Sequence, residues 1–206
     1  MNTCFADLMY ETFPNISQET KSKLHEHIRK RDLYSNWLFA NHRQNTICQG
    51  DVVRELPIIT IGRNGKPIKQ SLSALLLNNT CDMQIDNGKP RSNYISIIPL
   101  FPFSEFIKPF HHMPNYEKDL KENVITDKFY VGDLPYEDSE YVADLSMACS
   151  LSSEYLHNMI TQGEVEKVTS LSDNGYYFFL AKMTLHLMRP ESEEIERESA
   201  VRCMKK

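Results

Sequence analysis

The chain has 206 residues, 41% of them hydrophobic and 25% charged, a size and balance that give one large domain its own core and exclude disorder and a disulfide scaffold. With 23 Lys+Arg against 28 Asp+Glu the net charge is −5, which excludes nucleic-acid binding by the whole surface and leaves local basic sites only. Cys4, Cys48, Cys81, Cys149 and Cys203 are scattered without a CxxC pair, and this predicts a reducing, cytoplasmic setting. The first residues lack a basic and apolar leader, and the longest apolar run, Tyr176 to Met188, is broken by Lys182, Thr184 and His186. No secretory signal and no membrane span are therefore expected.

In chain order the first expected element is a helical arm. From Ser17 to about Ala40 there is no Gly or Pro, Leu24 and Ile28 stand at i, i+4, and Leu33, Trp37 and Leu38 follow, a helical spacing with room for one break. Its first half carries Lys21, Lys23, Arg29, Lys30 and Arg31, either a solvated face or an arm that binds a partner. At Gly50 the pattern changes. GDVVRELPIITI reads as a strand, and Arg63-Asn64-Gly65-Lys66 supplies the Asn-Gly signal of a tight hairpin. Ala74 to Leu77 is an apolar strand stopping at Asn78-Asn79, and Tyr94 to Ile98 is another ended by Pro99. A polar loop, Met83 to Asn93, lies between them and carries the turn residues Asp86-Asn87-Gly88 and Pro90.

Phe101 to Tyr116 contains four phenylalanines, three prolines and the pair His111-His112, and is expected to lie irregularly across an apolar surface because its prolines forbid a long helix. Strands are expected over Phe129 to Val131 and Glu140 to Leu145, with the sheet ending near Cys149. Ser150 or Ser152 then caps a short helix over Glu154 to Thr161. A last, greasy helix runs from Tyr176 to Arg189, with Lys182, His186 and Arg189 as an i, i+4, i+7 stripe, either its one solvent edge or a contact for a phosphate or acidic partner. The expected division is a helical arm over 1–49, a compact domain over 50–190 and a charged tail over 191–206.

Four fragments in this order resemble the MazF/PemK toxin family: GDVV (Gly50 to Val53), SALLLNN (Ser73 to Asn79), ISIIPL (Ile95 to Leu100) and YVADLSMACSLSSEYL from Tyr141. The resemblance spans Gly50 to Ile160. It implies an α+β fold with a small SH3-like antiparallel β-barrel, here flanked by N- and C-terminal helices, a homodimer or protein partner, RNA as a ligand, and a toxin–antitoxin or phage-defence type system in bacteria. Ribonucleases of that family carry an Arg before the second of these strands and a Thr after the third, where this chain has Leu72 and, approximately, Phe101. Leu cannot neutralise a phosphorane and Phe cannot donate a proton, so a binding module is expected ahead of a divergent endoribonuclease. LLLNNTCDM, with the late Gly-Tyr-x-Phe-x-Leu-x-Lys helix ending in Arg-Pro, also resembles a group of bacterial proteins with Thr-Cys-Asp after an apolar strand.

Thr80-Cys81-Asp82 leaves a strand end, where small β folds expose functional groups. As a thiol nucleophile Cys81, with Asp82 beside it, would need His111 or His112 as its base. The alternatives are an apolar Cys81 with Thr80 and Asp82 bonding the turn backbone, or a ligand site centred on Thr80. Adjacent histidines diverge on an extended chain, and Asp133, Glu137, Asp138 and Glu140 lack EF-hand spacing, so no metal is expected. Neither a P-loop nor GxGxxG occurs, and no nucleotide cofactor is expected. Arg63 and Lys66 at the hairpin tip serve either phosphate binding or solubility.

Overall fold

The structure, a computed structural model, describes residues 19, 38–40, 46–62, 64–135 and 137–187. Ten strands run in chain order: β1 (Phe39–Ala40), β2 (Asp51–Ile61), β3 (Pro67–Leu76), β4 (Ile85–Asp86), β5 (Lys89–Pro90), β6 (Tyr94–Pro102), β7 (Lys128–Asp133), β8 (Glu140–Asp144), β9 (Cys149–Ser152) and β10 (Glu166–Leu171). The helices are α1 (Thr80–Met83), α2 (Phe103–Phe106), α3 (Tyr116–Lys121), α4 (Ser153–Thr161) and α5 (Asp173–Leu187). Eight strands form one antiparallel sheet in the order β1-β10-β2-β3-β6-β8-β7, with β9 on the first half of β6. The fold is α+β.

The two faces of this sheet are both buried, and the strand alternation says how. Val52, Leu75 and Ile98 sit directly opposite one another across β2, β3 and β6. With Phe129 and Ala143 they face Phe178, Phe179 and Ala181 of α5. One residue along, Val53, Ala74, Leu76, Ile95 and Ile97 face Met83 of α1 and Leu156 of α4. Further along that side, Tyr130 and Val142 meet Phe103, Ile107 and Leu120 under the α2–α3 segment. Strands buried on both faces read as unbroken apolar runs, which is why Ala74 to Leu77 shows no alternation.

This layering corrects the expected barrel. Among the described residues the path from β1 to β7 has no pairing between its ends, so the sheet is not closed. A small barrel closes in order to bury one face within itself, whereas helices here cover both faces and closure brings nothing further. The sheet also continues past Cys149. β9 pairs with β6, and β10 inserts between β1 and β2. In the sequence, Glu166, Lys167 and Ser170 hide the apolar signal of β10.

Pro99 does not end β6. Ser96 turns both its N–H and its C=O toward the β3 side, bonding Asn78 Oδ1 and the N–H of Leu77. By the two-residue period Pro99 directs its nitrogen at the opposite edge. There β9 covers residues 94–97, β8 covers 100–102, and a 3-10 turn, Leu145–Met147, separates the two. The missing donor falls in the gap, where a ladder bond is not made.

The Asn-Gly hairpin joins β2 to β3 as expected. Gly62 donates to the Lys66 carbonyl, and Gly65 takes the left-handed conformation at φ 73°. The polar loop over 83–93 is more ordered than expected: β4 and β5 pair across Asn87-Gly88, both left-handed, at φ 49° and 77°. Ser152 caps α4 by accepting from the N–H of Tyr155 at 3.3 Å. Of the N-terminal arm, residues 17, 18 and 20–37 lie outside the described residues, and so does the tail over 191–206. The arm's far end is strand rather than helix, and Leu38 and Phe39 are core residues. Leu38 and Phe39 share a core cluster with residues of the 50–190 segment. Among the described residues no helix is long and apolar enough to cross a membrane.

Candidate functional site

The residues of the expected thiol site stand on different elements. Cys81 is exposed with a free thiol on α1, and α1 is anchored by Met83 in the cluster beneath α4. His111 instead lines a cavity of about 490 Å³ with Phe110, Met113 and Lys118, beside the α2–α3 segment. The histidine that reaches α1 is His157, whose Nε2 lies 2.9 Å from the Met83 carbonyl oxygen. Thr80 Oγ1 accepts the N–H of Gln49 at 3.0 Å, and Gln49 in turn donates to the Leu77 carbonyl and accepts from Tyr176. Thr80 thus ties the turn before β2 to the end of β3. Asp82 is exposed, and its backbone carbonyl accepts from Ser92.

The basic stripe of the last helix also needs correction. Lys182 is 3% exposed, and its Nζ donates to the carbonyls of Asn123 at 3.0 Å and Ile125 at 2.5 Å. The loop after α3 folds over the helix at this point, so Lys182 is no solvent edge. His186 is half-buried; Arg189 and Arg63 lie outside the described residues, while Lys66 is exposed at the hairpin tip.

Burial pushes the Lys182 ammonium down to about 8, with Asp127 opposing. The unfolded chain holds this proton more tightly, so unfolding takes one up between about pH 8 and the ordinary lysine value of 10.5, and this group makes stability rise with pH across that window. The Cys149 thiol and the Tyr130 and Tyr141 hydroxyls, all raised by burial, act in the opposite sense above their ordinary values. The measurement is therefore a difference: Tm of wild type minus Tm of Lys182→Met should increase from pH 7.5 to 9.5, and a constant difference would refute the buried charge.

Two of the carboxylates around the β7–β8 turn are held by side chains. Glu140 accepts from Tyr130 and Lys121, and Glu137 accepts from Tyr141. Among the described residues no group of three or more His, Cys, Asp or Glu is placed to hold a metal ion.

Two features escaped sequence reasoning. At the opening strand, Asp51 is fully buried and bonded by the Cys48 N–H at 2.7 Å, the Lys167 ammonium at 2.8 Å and the Ser170 hydroxyl. Lys167 and Ser170 belong to β10, so missing that strand hid the pair. The second is a cavity of about 570 Å³ between the β4–β5 hairpin and the start of α4, bordered by Lys89, Asn93, Tyr94, Ser153, Glu154 and His157. The Ser-Ser-Glu run signals a cap, and nothing in it reveals that the second serine is buried. Leu72 packs against the cluster under α1 and α4, and Phe101 against the one under the α2–α3 segment. No protein-family model, curated protein or solved structure matches this chain.

Proposed function

We propose that the chain is a binding module of a bacterial toxin–antitoxin or phage-defence type system, with an SH3-like sheet of the MazF/PemK kind left open, and that it binds rather than cleaves. The reading is supported by the neighbouring positions of the resembling fragments on β2, β3, β6 and β8–β9, and by the spending of Leu72 and Phe101 on packing. The observation that carries it is a projecting ribbon. β10 pairs only with residues 51–54 of β2, and β6 only with 73–76 of β3, so the paired stretch from Leu56 to Leu72 runs on beyond the sheet.

A bulge at Glu55, whose φ is 61°, turns the ribbon as it leaves. Ile59 and Ile61 are then 65% and 71% exposed, with Lys69 and Pro67 opposite them. Two edges unpaired among the described residues and two exposed isoleucines are a template for another chain, and the partner expected first is a second copy. Light scattering is expected to give a dimer that Ile59→Lys with Ile61→Lys converts to a monomer at unchanged Tm. A wild-type monomer at high concentration would remove the dimer. Single-stranded RNA is expected to stay intact; cleavage that Lys66→Ala abolishes would replace the binding reading with a divergent ribonuclease. A thiol enzyme using Cys81 would show itself by activity lost in Cys81→Ser.

A further inference from the structure

The cavity at the start of α4 contains an unsatisfied group. Ser153 is 0% exposed, and its Oγ has no hydrogen-bond partner among the described residues. A buried hydroxyl without a partner is destabilising, and native proteins rarely keep one. Its backbone N–H is occupied by the Asn93 carbonyl at 3.0 Å, which locks the helix start against β6 and holds the hydroxyl in place. Ser153 borders the cavity, and it is the first residue of a nine-residue helix, the end whose dipole favours an anion, although the Ser153 and Tyr155 N–H groups are already bonded to Asn93 and Ser152. Lys89 borders the same cavity from the β4–β5 hairpin. Tyr94, 65% exposed, and Ile85 offer an apolar surface beside it. His157, one turn along from Ser153, is held by the Met83 carbonyl.

We propose that this cavity binds a phosphate monoester carrying a planar ring, its phosphoryl oxygens taken by the Ser153 hydroxyl, the start of α4 and the Lys89 ammonium, and its ring laid against Tyr94. A neutral ring alone would leave the serine and the helix end unused, and inorganic phosphate would leave Tyr94 unused. Glu154 also borders the cavity and opposes any anion there, so removing its charge should strengthen binding. The inference is independent of the ribbon, which lies on other residues.

The test follows the Glu154 amide resonance while phenyl phosphate, inorganic phosphate and phenol are each titrated into the full chain. Saturable shifts are expected with phenyl phosphate, weaker ones with inorganic phosphate and none with phenol. Ser153→Ala should weaken phenyl phosphate about tenfold, as loss of a hydrogen bond to a charged group does, and Lys89→Ala by several-fold. Glu154→Gln should tighten it. Ser153→Ala should leave Tm unchanged or raised, because the hydroxyl it removes has no partner among the described residues. Absence of saturation, unaltered affinity in Ser153→Ala, or a marked fall in its Tm would each overturn the proposal. Equal affinity for phenyl phosphate and inorganic phosphate would overturn the ring subsite.

Discussion

Replacing Asp51 by alanine is expected to destabilise the protein by about 3–5 kcal/mol, the cost of removing one partner from a buried ion pair. The carboxylate is inaccessible to water, and three groups converge on it: the Cys48 N–H, the Lys167 ammonium and the Ser170 hydroxyl. Without it Lys167, itself 16% exposed, keeps the Thr46 carbonyl at 3.3 Å as its one remaining partner among the described residues. The loss also loosens β10, since Ser170 stands directly opposite Asp51 in the ladder. For a chain of this length the fall in Tm should be on the order of 10 °C. The double variant Asp51→Ala, Lys167→Met separates the charge from the packing: it should be less destabilised than the sum of the single variants. Additive losses would show that the ion pair is not what holds β10.

The second large effect concerns Gly175, where two principles predict opposite signs. In a free helix glycine is worse than alanine by about 1 kcal/mol, so propensity alone makes Gly175→Ala stabilising. Packing predicts the reverse. A Cβ at this position would lie 2.1 Å from the carbonyl oxygen of Leu38 and 3.0 Å from its carbonyl carbon. That carbonyl is backbone and is already held by the N–H of Ser172 at 2.9 Å, so it cannot yield without losing its bond. Overpacking of this kind costs about 1–3 kcal/mol and sometimes more, which exceeds the propensity gain. A 2.1 Å approach to backbone belongs at the upper end of that range, so Gly175→Ala is expected to lower stability by about 2 kcal/mol net, measured by denaturant titration. A stabilised variant would mean that β1 and α5 do not approach so closely.

Several elements could be read from local chemistry because their causes are local. Asn64-Gly65 makes a turn wherever flanking strands need one, Ser152 caps α4 from within its own segment, and the prolines between Phe101 and Tyr116 shorten their helices. The errors arose where a partner distant in sequence decides. Pro99 is tolerated because β8 and β9 part beside it, some fifty residues further on. Lys182 has the spacing of a solvent stripe and is buried because the loop at Asn123 and Ile125 lies over it. Of the candidate site, the exposed hairpin tip was legible, whereas the exposure of Cys81, left open between packing and reactivity, and the buried Ser153 hydroxyl were not.

Composition, periodicity and turn residues by themselves determined a strand-rich middle followed by short helices, with local rather than general basic sites, because burial pattern and backbone preference act over a few residues. Only the tertiary structure decided that the sheet stays open, that β10 enters between β1 and β2, that Asp51 and Lys182 are buried with their partners, and that a cavity forms at the start of α4. Each depends on a contact between segments far apart in the chain, and no local preference encodes which distant group arrives.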